Sequence, residues 1–143
     1  MAVEQRIEEP LDEVPLDPER VSDASHELIS SRRVEGTPVY NRQNEKLGTI
    51  HSVMIDKRSG RIAYALMWFG GFLGIGGYVH PVPWDMLDYD VRRDGYVVDL
   101  PREKLNGAPT FRLDEAERPR ERSEEDLAFA YYGQMPWWGG GAF

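Results

Sequence analysis

Five aspartates, Asp85, Asp88, Asp90, Asp94 and Asp99, fall close together in the chain, and carboxylates at short spacing are the material of calcium loops and acid–base pairs. A calcium loop wants oxygen ligands at alternating positions and a distal Glu, and Arg92 and Arg93 stand where further ligands would be needed. Asp94-Gly95 instead reads as a turn, with Asp85 facing outward or capping a turn after Trp84. His26, His51 and His80 show neither HxxxH nor HExxH spacing and read as satisfied core or surface histidines. The run Gly70-Gly71-Phe72-Leu73-Gly74-Ile75-Gly76-Gly77 suggests a phosphate cradle, but it lacks the Lys-Ser/Thr ending and the following helix that a phosphate loop requires. It reads as a wide loop whose Phe72, Leu73 and Ile75 meet another surface. With no cysteine, thiol nucleophiles, zinc ribbons and CxxC centres are excluded. Nucleophile-elbow and kinase motifs are missing too. No catalytic residue, metal site or cofactor is expected.

Binding chemistry is better represented. Arg32-Arg33, Lys57-Arg58 and Arg92-Arg93 could form an RNA-facing patch, although the last two pairs lie in turns, where solvated charge is the ordinary outcome. The C-terminal segment gathers Phe129, Tyr131, Tyr132, Trp137, Trp138 and Phe143, while its glycines and Pro136 prevent a continuous helix. Aromatic side chains supply large contact area and are enriched at interface hot spots. Such a tail either folds back on its own domain or docks on a second chain, and sequence leaves both open.

The elements that must position these groups follow from charge and pattern. The chain has 143 residues and a formal charge of −8. Residues 1–28 carry a net of −7, residues 29–111 a net of +2 and residues 112–143 a net of −3. The acidity therefore belongs to the ends, and only the middle has the composition of a folded domain. Residues 1–28 hold three prolines and no aromatic residue, and read as a disordered acidic arm. Residues 112–143 read as an acidic linker, a short helix and the aromatic tail. MAVEQRIEEP does not resemble a signal peptide, so a cytoplasmic location is expected.

Within residues 29–111, turn signals alternate with short runs rich in β-branched and aromatic residues. Strands are expected at Pro38–Asn41, Lys46–Asp56, Arg61–Phe69, Tyr78–Val82, Leu87–Val91 and Tyr96–Leu100, with Gly60 and Gly95 at positive φ in hairpin turns. Such spacing predicts an all-β domain, a small barrel or sandwich. On the 61–69 strand, Ile62, Tyr64, Leu66 and Trp68 share one face and Ala63, Ala65, Met67 and Phe69 the other. Both faces are apolar, so the strand must be covered on both sides, with a subunit interface as one source of the second cover. Pro101–Leu105 suggests a short helix, and a second is expected with Ser123 as its N-cap and Gly133 as its C′ residue. Residues 62–84 lack Lys, Arg, Asp and Glu, but five glycines and two prolines make strand–loop–strand a better reading than a membrane span.

Leu47-Gly48-Thr49-Ile50, Val53-Met54-Ile55-Asp56 and Ser59-Gly60-Arg61-Ile62-Ala63-Tyr64-Ala65 together resemble the opening of a PRC-barrel domain. The resemblance continues through Phe69 to Gly76, Val82-Pro83-Trp84-Asp85-Met86-Leu87, Tyr96 to Leu100 and Leu105 to Phe111. It covers about residues 28–111. It implies a small, partly open antiparallel β-barrel, here with short helical turns, a short C-terminal helix and flexible acidic tails. The family takes its name from the photosynthetic reaction-centre H subunit and includes the C-terminal domain of a ribosome maturation factor. The transmembrane helix of the former and the N-terminal barrel of the latter have no counterpart here, so the chain is similar to the stand-alone members. That likeness implies a non-enzymatic assembly or adaptor module, homodimeric, binding a protein partner. The expected interface is Phe69, Phe72, Leu73, Ile75, Tyr131, Tyr132, Trp137 and Trp138. Two alternatives stand beside it: an RNA or ribosome-maturation binder, and a soluble accessory of a membrane photosynthetic or electron-transfer complex.

Overall fold

The computed structural model describes residues 27–69, 77–116, 118 and 120–139. The chain separates into two units, Met1–Ser31 and Arg32–Phe143. Of the first, the described residues 27–30 form neither helix nor strand.

A helical turn, α1 (Ser31–Val34), begins on the last residue of the first unit, and the second continues through β1 (Pro38–Tyr40), β2 (Lys46–Ile55), β3 (Ile62–Phe69) and β4 (Tyr78–Pro83). A 3-10 turn at Trp84–Met86 leads to β5 (Asp88–Asp90) and β6 (Gly95–Val97). Then come α2 (Arg102–Asn106), β7 (Phe111–Arg112), α3 (Leu113–Ala116) and α4 (Arg122–Tyr131). The strands form one sheet in the order β5-β6-β1-β2-β3-β4-β7. It is an open sheet among the described residues, since β5 and β7 stand at its ends without pairing to each other. The expectation of a partly open antiparallel barrel needs correction in strand direction, because β1 and β6 run parallel, Val39 opposite Tyr96 and Tyr40 opposite Val97. Hydrophobic period identifies a strand without naming its neighbour or direction.

Each tight turn has a local cause. Asn41 is fully buried, and its Oδ1 accepts from the backbone N–H of Gln43 (3.0 Å) and Glu45 (2.9 Å). That closes the β1–β2 turn, where Asn44 takes a φ of 69°. Gly60, at φ 77°, turns β2 into β3 as its position predicts, while Asp56 accepts from the N–H and hydroxyl of Ser59 across the same turn. In the β5–β6 turn the left-handed residue is Asp94, at φ 52°, and not the expected Gly95. Gly95 is there for space: a Cβ on it would lie 2.8 Å from the Pro38 carbonyl oxygen and 3.1 Å from the Tyr40 ring. The strand that crosses it tolerates no side chain.

Two apolar clusters lie on opposite faces of β3. Ala65 and Met67 belong to the first, with Val39, Leu47, Ile50, Val82, Val98 and Leu105. Tyr64 and Leu66 belong to the second, with Val79, Phe111 and Phe129, and Trp68 packs against it; Ala63, expected on the face of Ala65, joins this cluster instead. The strand is thus covered on both sides. The second cover is the chain's own: α4 contributes Phe129, and Trp137 and Trp138 pack against the same cluster. A subunit interface is therefore unnecessary to bury this face. The expected flexible C-terminal tail is corrected likewise, because its described part packs on the sheet. α4 begins at Arg122, one residue before the expected cap Ser123, and Glu121 precedes it without a side-chain cap bond. Its end follows expectation: Gly133 at φ 73° donates to Ala130 O, and Gln134 N donates to Phe129 O.

Candidate functional site

The expected interface residues divide between the two faces of the sheet. Phe69 ends β3 half-buried, its ring edge-on to His80 at 5.6 Å and beneath the Arg102 guanidinium at 5.7 Å. Tyr132 joins the same cluster as a buried residue and Tyr131 as a half-buried one, their rings edge to face at 5.1 Å. The Tyr131 hydroxyl donates to Lys104 O, and Lys104 Nζ sits 4.4 Å from its ring centroid. Trp137 and Trp138 lie on the other cluster. Arg61 stacks on Trp137 at 3.9 Å, while Trp138 meets Phe129 at 4.9 Å and Tyr64 at 5.7 Å. Arg122 Nη1 donates to Trp138 O at 2.9 Å and its guanidinium lies over the ring. Phe72, Leu73 and Ile75 fall outside the described residues, as does Phe143.

Under this aromatic cover, Tyr64 donates a 2.6 Å hydrogen bond to Glu125 Oε2. Burial first, and that carboxylate second, hold the Tyr64 proton well above the ordinary tyrosine range. Burial likewise pushes the Tyr132 phenol up. His80, buried on β4, is shifted the other way: burial disfavours its charged form, against a smaller opposing effect of the Pro109 backbone. These groups are locked into packing.

A concave surface lies elsewhere, at the β5 end of the sheet. A cleft of about 560 Å³ is lined by Arg42, Asp88, Tyr89, Asp90, Val91, Arg92, Arg93 and Val97. Pairing puts Asp88 opposite Val97 and Asp90 opposite Gly95, so these four share a face, while Tyr89 opposite Tyr96 points to the first cluster. The turn above the cleft is pinned from several sides. Asp90 Oδ1 accepts from the N–H of Arg92 (2.9 Å) and, at longer range, Arg93 (3.4 Å), and the Tyr89 hydroxyl donates to Asp94. Arg93 Nε lies 3.6 Å from Asp90 Oδ2, its guanidinium 5.5 Å from the Tyr40 ring centroid, and its Nη1 is buried without a hydrogen-bond partner among the described residues. Arg42 makes an exposed 3.6 Å pair with Asp99. Sequence reasoning weighed these aspartates as ligands and these arginines as solvated turn charge; the signal it passed over was their interleaving around one short strand.

Among the described residues, no group of three or more His, Cys, Asp or Glu side chains could hold a metal ion. No helix among them is long and apolar enough to cross a membrane, and the charge-free 62–84 stretch supplies β3 and β4.

A short-stranded open sheet wrapped around one cluster, with a helix-and-tail cover over a second, is the class of domain that fold and surface define. The PRC-barrel domain matches residues 26–105, which is 80 of the 143 residues. The chain belongs to the PRC-barrel family. Among curated proteins none matches it. One solved structure that it resembles is that of a Pseudomonas aeruginosa protein named as the 16S ribosomal RNA processing protein RimM, at 17% identity and a TM-score of 0.36. That likeness covers 66% of this chain and 49% of the other, so the chain spans about half the length of that protein.

Proposed function

We propose that the chain is a non-enzymatic assembly module that binds a protein partner through the outside of its barrel. The observation that carries this reading is the cleft beside β5, a preformed concavity lined mainly by charged residues on a sheet edge. The inner face of the sheet is filled by its own side chains: Val39, Leu47, Ala65, Leu105 and Val82 are all at most 1% exposed. Concave polar surface on a filled barrel suits recognition of another macromolecule better than turnover of a small molecule.

Self-association belongs to the same proposal in a narrower form than the sequence suggests. The outer face of β3 is occupied by α4 and Trp138. A homodimer contact would therefore run through the apolar residues Phe72, Leu73 and Ile75 that follow Phe69 in the sequence. Light scattering on the full chain tests this. Twice the monomer mass is expected for the natural sequence, and the monomer mass for a Phe72→Ser, Leu73→Ser double variant. A full chain that stays monomeric at high micromolar concentration overturns the dimer.

A further inference from the structure

Away from the cleft, the turn between β2 and β3 is the part of the surface with an unbalanced charge. We infer that it docks the chain, weakly and reversibly, on an anionic lipid surface. The turn carries Lys57, Arg58 and Arg61, all exposed, against one carboxylate, Asp56, which is half-buried. Residues 56–61 thus hold a net of +2, whereas Asp88, Asp90, Arg92 and Arg93 around β5 cancel. On the α4 side, Arg120 pairs with Glu124 at 2.9 Å and Arg122 with Asp126 at 3.0 Å.

The backbone of this turn is fixed while two of its cations are not. Asp56 accepts from the Ser59 N–H (2.9 Å) and hydroxyl (2.6 Å). Gly60 N donates to Asp56 O at 2.8 Å, and Arg61 N donates to Ser59 Oγ at 3.1 Å. Lys57 and Arg58 make no side-chain hydrogen bond or ion pair among the described residues. Cations left unoriented on a rigid turn suit a diffuse negative surface, where charge counts and direction does not. A stereospecific protein contact orients its charged groups and is depleted in lysine.

Two apolar groups flank the cations. Ile55, the last residue of β2, is 52% exposed, and Trp137 lies half-buried under the Arg61 guanidinium at 3.9 Å. An isoleucine gains by entering the acyl boundary while cations stay at the headgroups, and indole rings favour that same boundary. A nucleic acid would reward the charges and not Ile55. It would also want an indole face for stacking, and Arg61 already covers one. Three cations, one opposing carboxylate and a single exposed isoleucine give an attachment weaker than the two full signals that stable anchoring takes.

Co-sedimentation of the full chain with vesicles at about 50 mM salt tests the inference. Vesicles of phosphatidylglycerol and phosphatidylcholine in equal parts should bind it, and phosphatidylcholine alone should not. Raising the salt to about 500 mM should weaken binding by about tenfold or more. Lys57→Glu combined with Arg58→Glu should weaken it by at least about tenfold at low salt. Ile55→Ser should weaken it by about threefold at either salt. Arg32→Glu combined with Arg33→Glu, an equal charge change at an exposed pair on α1, should alter it by less than about threefold. Melting temperatures of all these variants, expected to match the natural chain, separate lost binding from lost fold. Failure to bind anionic vesicles overturns the inference, as does an equal loss in the two double variants. Undiminished binding by Ile55→Ser overturns the lipid assignment. Oligouridine or polyglutamate that binds through Lys57 and Arg58, where anionic vesicles do not, overturns it in favour of nucleic acid or an acidic protein. The reading of the cleft stands in each of these cases, because none of the substituted residues lines it.

Discussion

Replacing Trp138 with alanine removes the keystone of the cover over β3, and its cost can be worked from the contacts. The ring meets Phe129 at 4.9 Å and Tyr64 at 5.7 Å, with the Arg122 guanidinium 5.0 Å from its centroid. A fully buried aromatic truncated to alanine costs roughly 3–5 kcal/mol. Trp138 is half-buried, which brings the expectation to about 2 kcal/mol. For a domain of about a hundred residues that is a fall of roughly 8–10 °C in melting temperature. A second readout is specific to this site. Tyr64 keeps its proton because it is buried and bonded to Glu125, so uncovering it should bring its ionisation down toward the ordinary tyrosine range. Tyrosinate absorbance, with Tyr64→Phe as the reference, reads that change before alkaline unfolding sets in. If Trp138→Ala melts within about 1 °C of the natural chain and Tyr64 titrates as before, the tail does not hold this face and the argument fails.

Two glycines that look alike in sequence should respond differently. Gly95→Ala forces a Cβ to 2.8 Å from a β1 backbone oxygen that cannot swing away, with an expected cost of about 1–3 kcal/mol by urea denaturation. Gly60→Ala meets nothing within 4 Å and pays only for its positive φ of 77°, about 1 kcal/mol; a reversal of this order refutes the packing argument. Stability should also fall in mild acid through His80. Burial lowers its folded pKa below the unfolded value, so the unfolded chain takes the proton first and stability drops as pH falls through about 6.5. The slope for one such proton approaches about 1.4 kcal/mol per pH unit. His80→Gln should flatten it; equal slopes in both proteins between about pH 7 and about pH 5 refute the assignment.

What was legible in the sequence was local. The turn at Gly60 and the end of α4 at Gly133 follow from the positive φ that glycine provides, and both stand where expected. The two apolar faces of the 61–69 strand were equally plain, because side chains alternate along any strand whatever its neighbours. What covers the second face was not, since Phe129 and Trp138 reach it from some sixty to seventy positions along the chain and no periodicity records that distance. Glycine at position 95 shows the same limit in one residue. As a turn signal it predicted a backbone angle, whereas its structural reason is the passage of Pro38 and Tyr40, more than fifty positions earlier.

The cleft was hidden for a related reason, and its residues show how a charge total can mislead. Asp88, Asp90, Arg92 and Arg93 nearly cancel in any count, and in a turn such charges ordinarily face water. Folding gives each group its own surroundings. Asp90 turns inward to its own backbone amides, and Arg93 leans on Tyr40 with one nitrogen buried. Parallel pairing of β6 with β1 then brings Arg42 alongside from the first hairpin. A run that is neutral on paper thereby stays mixed at its surface, with Asp88 and Arg92 exposed and Asp90 and Arg93 both half-buried. The overall charge of −8 bears on solubility, while the sign that a partner meets is set by which of these few groups the turn has already used.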